Sequence, residues 1–414
     1  MSTLIKQAVI IDSQSKHHLK KMDILIERGV ITEIKPKIQS TTKNIIEGKS
    51  VHVSPGWMDM HAEFNDPGLE YKEDLKSGAN AAKNGGFSTV IVSANNHPVT
   101  DTKAQLNYIE NSSLKLPVQI KSFATLSEGL KGVNFSELFD LHSAGAAGFS
   151  DGHQPISDPD LLRRTLLYSK TFNGKTIVYP SDKRIAHNGV MHEGKMSTSL
   201  GLKSDPSLSE EIMVARDLAV AEYSDAQIHF MTISTVGAVD QIKRAKKRGI
   251  QVTCDVAIAN LIWNDEALVD FDSNYKVTPP LRSEKDRKAL IKGVADGTID
   301  CIVTNHNPQN IEEKQCEFDI AGFGQSSIET AYSLYQTHLT KHLDMETWVK
   351  AVSVNPRRIF GFELTEIKVG EKANLTIVDS GKEWEVKASD FKSKSKNTPL
   401  IGETLMGRVL DVIC

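Results

Sequence analysis

The sequence predicts an α/β protein: a (β/α)8 barrel of the TIM type, with a small β-sandwich domain formed by both chain termini. Three observations carry this expectation. Eight apolar β-type runs alternate with helical patterns through the middle of the chain, at residues 56–61, 88–92, 118–123, 146–149, 176–179, 228–233, 251–256 and 300–303. Both ends are β-rich. The length, 414 residues, suits one large domain and an accessory one. The expected division is 1–54 and 365–414 for the two parts of the small domain and 55–364 for the barrel. An open doubly wound sheet is the alternative for the middle.

In chain order, residues 23–34 read as a hairpin turning at Arg28-Gly29. A helix before strand two stops at Asn84-Gly85-Gly86. Residues 207–223 open with Ser-Leu-Ser-Glu, a capping-box pattern, and continue with Ile212, Ala215, Ala219 and Val220 at helical spacing. Residues 236–248 end in basic residues before Gly249, a helix-stop signal. Residues 373–379 and 407–413 read as the closing strands. The basic run 387–396 is expected to be a solvated loop.

Composition narrows the function classes. Hydrophobic residues make up 39% and charged residues 25%, an ordinary globular balance. A net charge of −4 gives no basic surface for nucleic acid or anionic membrane. No run approaches the ~20 apolar residues of a membrane span, and the N-terminus lacks a signal-peptide cleavage pattern. Cys254, Cys301, Cys316 and Cys414 show no CxxC spacing, so they are expected to be reduced thiols of a cytoplasmic protein.

In such a barrel the chemistry sits at the C-terminal ends of the strands. A metal-dependent hydrolytic site needs imidazoles and carboxylates there, to hold the ion and lower the pKa of a bound water. Strand one offers His61 and Glu63, and strand two Asn95 and His97. Strand four offers Asp151 and His153, and strand eight Asn305 and His306. Strands five, six and seven present Pro180, Thr232 and Ala259, and no HxH pair occurs in the chain. The remaining candidates for metal ligands are His61, Glu63, Asp151 and His306, with Asp59 expected to face the core or to stand behind the ligands.

At these residues the chain resembles a dihydroorotase of the amidohydrolase superfamily, of the type associated with aspartate carbamoyltransferase. Pro55-Gly-Trp-Met-Asp-Met-His resembles the family's PGFIDMH strand, and Asp66-Pro-Gly-Leu-Glu-Tyr-Lys-Glu-Asp its EPGYEHKE turn. Gly189-Val-Met-His-Glu-Gly-Lys-Met-Ser-Thr-Ser-Leu-Gly-Leu resembles GVMNEGxxSxxLGL, and Asn274-Tyr-Lys-Val-Thr-Pro-Pro-Leu-Arg resembles NYKVNPPLR. Ser393-Lys-Ser-Lys-Asn-Thr-Pro-Leu is similar to KSxNTPF. The resemblance covers nearly the whole chain. It implies the barrel, a zinc-dependent activity on carbamoyl aspartate and dihydroorotate, and a cytoplasmic place in pyrimidine biosynthesis.

The departures fall on the site. The family's HxHxR tip is His61-Ala-Glu63-Phe-Asn65, losing a histidine and the arginine expected to grip a substrate carboxylate. Family histidines correspond to Pro180, Thr232, Ala259 and Asn260. The catalytic aspartate corresponds to Asn305, a later histidine to Gln309 and the NPPLR asparagine to Thr278. Asn95 matches a substrate-contacting asparagine. The leading expectation is therefore a non-catalytic dihydroorotase-like protein with no resident metal, acting as a structural partner of aspartate carbamoyltransferase or of itself. The alternative is an active zinc-dependent dihydroorotase or related cyclic-amide hydrolase with an atypical site, for instance one metal on His61, Glu63 and Asp151. A third option is a sensing pocket for a pyrimidine-like ligand at Asn95.

Overall fold

The computed structural model describes residues 2–414 and opens with a sheet woven from both ends of the chain. β1 (Ser2–Ile10) pairs antiparallel with β2 (Lys21–Glu27), which turns through Arg28 and Gly29 into β3 (Val30–Lys35). Arg28 and Gly29 have φ of 51° and 78°. Two successive left-handed residues give the turn whose twist matches the strands it joins. β4 (Ile45–Ile46) and β5 (Val51–Pro55) run parallel to β1.

The barrel follows. β6 (Trp57–Ala62), β7 (Phe87–Val92) and β8 (Gln119–Ser122) form one parallel sheet. β9 (Phe149–Ser150) and β10 (Thr176–Val178) begin a second. After an excursion carrying the small pair β11 (Met191–His192) and β12 (Ser204–Asp205), this sheet continues through β13 (Ile228–Phe230), β14 (Val252–Ala257) and β15 (Cys301–Val303). Single parallel bridges join the two sheets at both edges, Ala124 to Phe149 and Ala62 to His306. The eight strands thus close into a ring, seven at the positions of the runs read from the sequence and the fourth shifted so that it shares only Phe149 with its run, and the open-sheet alternative falls. β16 (Leu375–Glu385) and β17 (Thr404–Ile413) return the chain to the terminal sheet, β16 lying antiparallel to β5.

Three apolar layers hold this arrangement. Met58, Met60, Ile91, Phe123, Ile177, Met231 and Val303 plug the ring. Val90, Val92, Phe230 and Val256 face outward onto helix residues such as Ala79, Leu162, Leu218 and Ile242. Ile5, Ile24, Ile31, Val53, Leu375 and Ile377 form the core of the terminal sheet. A fully buried aliphatic side chain contributes roughly 1.5–3 kcal/mol, so these layers supply most of the driving force.

Helix boundaries follow local signals with one exception. The helix Leu75–Asn84 starts at Asp74, whose carboxylate accepts from the Ser77 N–H at 2.7 Å, and stops at Gly85. Gly86 then sits at φ 97°, and a Cβ there would lie 2.7 Å from the Trp57 ring. The helix Val236–Lys247 is capped by Thr235 and followed by Gly249 at φ 87°. For the helix Ser207–Ser224 the expected capping box does not form, because its N-cap is Pro206. Glu210 turns away instead and accepts from the Ser234 and Thr235 N–H groups, both at 2.9 Å. Tertiary donors outcompete the local cap.

The segment 387–396 also differs from expectation. Its lysines 392, 394 and 396 are exposed, but Ser393 and Ser395 are buried. Ser393 donates to the buried Glu73 carboxylate, and Glu329 accepts from the Lys392 and Ser393 N–H groups at 2.9 and 3.0 Å. The lysines face water while the serines pin the strap to the barrel. All four cysteines are unpaired, with Cys254 and Cys301 in the core. Among the described residues, no helix is long and apolar enough to cross a membrane.

Candidate metal centre

β6 delivers two polar side chains to the barrel mouth. The register between β6 and β7 shifts between Asp59 and Ala62. Just beyond, the Glu63 N–H donates to the His306 carbonyl at 2.7 Å, fixing strand one against strand eight. His61 and Glu63 are both buried. Asp59, as expected, is turned into the protein, where it accepts from the Thr304 N–H at 3.1 Å.

Asn305 sets the tautomer of His61. Its amide nitrogen donates to the Thr278 carbonyl at 2.8 Å, so its oxygen is the atom facing His61 Nδ1 at 2.9 Å. His61 therefore donates from Nδ1, leaving Nε2 as a bare lone pair. That Nε2 is buried without a hydrogen-bond partner. An unpaired buried nitrogen costs free energy unless something fills its coordination.

The group that comes to meet it is His153. Its ring packs edge-on against His61, with centroids 5.0 Å apart, and equally against Tyr179 at 5.0 Å. Its Nδ1 lies 3.9 Å from the Glu63 carboxylate and its Nε2 is also unpartnered. Burial holds the His153 imidazole well below its usual pKa and so neutral. Burial likewise pushes the Glu63 carboxyl up, against an Asn95 hydrogen bond at 3.1 Å. One donor atom from each of His61, Glu63 and His153 lies within 4.8 Å of the others. A tetrahedral ion with ligands at ~2.1 Å places its donors about 3.4 Å apart, so a small inward movement completes the set.

Two of the four candidate ligands are not part of it. Asp151 turns sideways, and its carboxylate accepts from the Leu126 and Ser127 N–H groups at 2.8 and 2.9 Å and from the Ser127 hydroxyl. Between them Gly152 takes a left-handed φ of 59°, and the chain turns there, with Asp151 held by that loop and His153 lying over the mouth. His306 is buried too, but its Nδ1 accepts from the Ser327 N–H at 3.2 Å and its Nε2 faces Glu73 at 3.5 Å, away from the cluster. His153 was visible at the tip of strand four. The signal that should have raised it above Asp151 was the intervening glycine.

Most of the other substituted positions are engaged by structural hydrogen bonds. Asn95, expected at a ligand, spends its amide on Glu63. Asn260 donates to the Pro280 carbonyl at 3.0 Å. Gln309 donates to Asn307 at 2.6 Å and accepts from Lys72 at 2.8 Å. Thr232 keeps a buried hydroxyl with no partner, near the mouth but outside the cluster. Ser234 and Thr235 serve Glu210, and Ser234 also accepts from the buried Arg282 at 3.1 Å.

Comparison with known proteins agrees with this architecture. A family model described as the amidohydrolase family matches residues 52–414. A curated protein named dihydroorotase from Acetivibrio thermocellus is 41% identical over 409 residues, covering 98% of this chain and 96% of that one. Another of that name from Ruminiclostridium cellulolyticum is 39% identical over 411 residues, covering 99% and 96%. Among solved structures, an L-hydantoinase (dihydropyrimidinase) from Arthrobacter aurescens superposes with a TM-score of 0.85 at 21% identity, covering 99% of this chain and 94% of that one. A dihydropyrimidinase from Brevibacillus agri gives 0.82 at 19%, covering 100% and 93%. At such identities the structures speak for the fold: a barrel with a small terminal β domain.

Proposed function

The chain belongs to the amidohydrolase family, and on that premise we propose that it is a dihydroorotase-like cyclic-amide hydrolase with an atypical one-metal site. The proposed substrate pair is dihydroorotate and carbamoyl aspartate, after the name its relatives carry. The observation that supports this reading best is the convergence of His61, Glu63 and His153, with two imidazole nitrogens buried and unpaired. Two histidines and one glutamate are a donor set that catalytic zinc sites use, with a fourth position left open. When bound, zinc supplies a water acidified to pKa ~7 and polarises the scissile carbonyl.

The chain's own residues would do the rest. Asn305 orients His61 so that its lone pair faces the ion. Asn95 holds Glu63 in place. His153, already neutral, needs no deprotonation to ligate. Protein purified without chelators should carry about one zinc per chain, as the three-donor site requires, and should turn over dihydroorotate. Metal-free protein with no turnover after zinc is added back would sink the proposal.

A second reading is favoured by Asn305, whose amide is fully engaged by His61 and Thr278 and cannot accept a proton as an aspartate would. On this reading the chain is a non-catalytic partner of aspartate carbamoyltransferase, or a homo-oligomer, in the cytoplasm. Co-purification, with carbamoyltransferase activity that depends on this chain, supports it. A transferase fully active and stably assembled alone counts against it.

A further inference from the structure

The opposite face of the barrel is not closed. A cavity of about 430 Å³ opens at the N-terminal ends of β10, β13 and β14, away from the metal-site mouth. Its wall includes Lys175, Gln227, His229, Thr253, Asn355 and Arg358. The bottom of such a barrel is ordinarily where packing serves stability. Here polar side chains share the lining with Ile228, Ile250, Val252 and Ile359, and the space is of ligand size.

The charge balance of the wall is the informative part. Lys175 reaches only neutral acceptors, Asn173 at 3.2 Å and Gln227 at 2.9 Å. Arg358 is exposed at the rim, and among the described residues no carboxylate pairs with it or with Lys175. The one acid on the wall, Asp300, is spoken for: Lys246 bonds both its oxygens, at 2.8 and 2.7 Å, and the Cys254 N–H bonds one at 2.9 Å. Against the two unpaired cations stands only the buried Asp255 carboxylate beneath His229, so the pocket keeps a net positive balance, which favours an anion.

The floor is built to hold a hydroxyl still. Asp255 accepts from His229 Nε2 at 2.8 Å, and His229 Nδ1 meets the Thr253 hydroxyl at 2.8 Å. Asp255 is itself fixed by the Thr232 N–H at 2.7 Å. This relay locks the Thr253 side chain at the wall of the cavity that Asn355 and Gln227 also line. The geometry points to a second ligand site at the N-terminal face of the barrel, taking a small phosphomonoester whose phosphate bridges Lys175 and Arg358 and whose polar body lies against Thr253 and Gln227. Guanidinium and ammonium donors are the groups that recognise phosphate.

The site is independent of the metal centre, so its test is binding rather than turnover. Full-length protein is titrated by calorimetry with ribose 5-phosphate, with ribose as the neutral control. Saturable binding of the phosphate ester and none of ribose is expected. Arg358→Gln and Lys175→Gln should each weaken it about tenfold or more, with an unchanged melting temperature showing that the variants fold. Three results would overturn the proposal: no saturable binding, equal binding of ribose, or undiminished binding in both variants.

Discussion

Replacing His153 by alanine separates the three-donor site from the set containing Asp151. The imidazole removed stands 3.9 Å from the Glu63 carboxylate and packs 5.0 Å from the His61 ring. Loss of an outer-shell partner alone costs about 10–100-fold in metal affinity. Loss of a direct donor should therefore exceed ~100-fold, or ~2.7 kcal/mol. The metal-free fold should lose little, on the order of 1–2 kcal/mol, since the ring contributes packing and no hydrogen bond. Asp151→Asn should behave in the opposite way. Its oxygen can still accept at the Leu126 and Ser127 N–H groups, but its NH2 cannot accept from the Ser127 hydroxyl, costing ~1–3 kcal/mol of stability. Zinc affinity should stay put. The assay is competition for zinc against a chromophoric chelator, run beside urea unfolding of the metal-free protein. Intact zinc affinity in His153→Ala, with loss in Asp151→Asn, would refute the reasoning.

Zinc affinity should also fall as pH drops through the raised Glu63 pKa, because a protonated carboxyl cannot ligate and burial has moved that pKa above the ordinary 4.5; a chelator titration across pH shows whether Glu63→Gln removes that part of the slope. Asn305→Asp should cost ~1–3 kcal/mol, since the new carboxylate confronts the Thr278 carbonyl where the amide donated at 2.8 Å; if its turnover of dihydroorotate does not exceed the parent's, the missing base is not what limits the site. Gly86→Ala should destabilise by at least ~2 kcal/mol, from a left-handed φ of 97° and a Cβ 2.7 Å from Trp57, read as a lowered urea midpoint. Asp217 is buried in the helix Ser207–Ser224, which pushes its carboxyl up to about 6 despite Arg216. The folded state then holds the proton more tightly than the unfolded chain, so stability declines as pH rises from about 4 through about 6, by up to ~3 kcal/mol. Asp217→Asn should flatten that stretch of the stability–pH curve, and an unchanged slope would exclude Asp217 as its source.

Much of the fold was legible because it is written in local periodicity. Seven of the eight apolar runs coincide with barrel strands, since such segments bury both faces and their composition reports it, whereas the fourth, 146–149, meets its strand only at Phe149. The stops at Gly86 and Gly249 were legible for a similar reason: both residues take a left-handed φ that other side chains resist. The capping box at residue 207 was not, because Glu210 had two ways to be satisfied. The local one lost to the Ser234 and Thr235 N–H groups, which arrive from 24 and 25 residues away.

The site divides along the same line. The sequence by itself determined that the strand tips are poor in imidazole, that strand one brings His61 and Glu63 side by side, and that strand eight ends in an amide. Which of these atoms meet depends on chain direction after each strand, and that is decided by turns and by neighbours far away in sequence. The chain turns at Gly152, with His153 at the centre and Asp151 out of it. The Thr278 carbonyl, 27 residues from Asn305, orients the amide that leaves His61 with a free lone pair. Composition names the donors at the mouth, but only the closed ring brings strands one, four and eight within reach of a single ion.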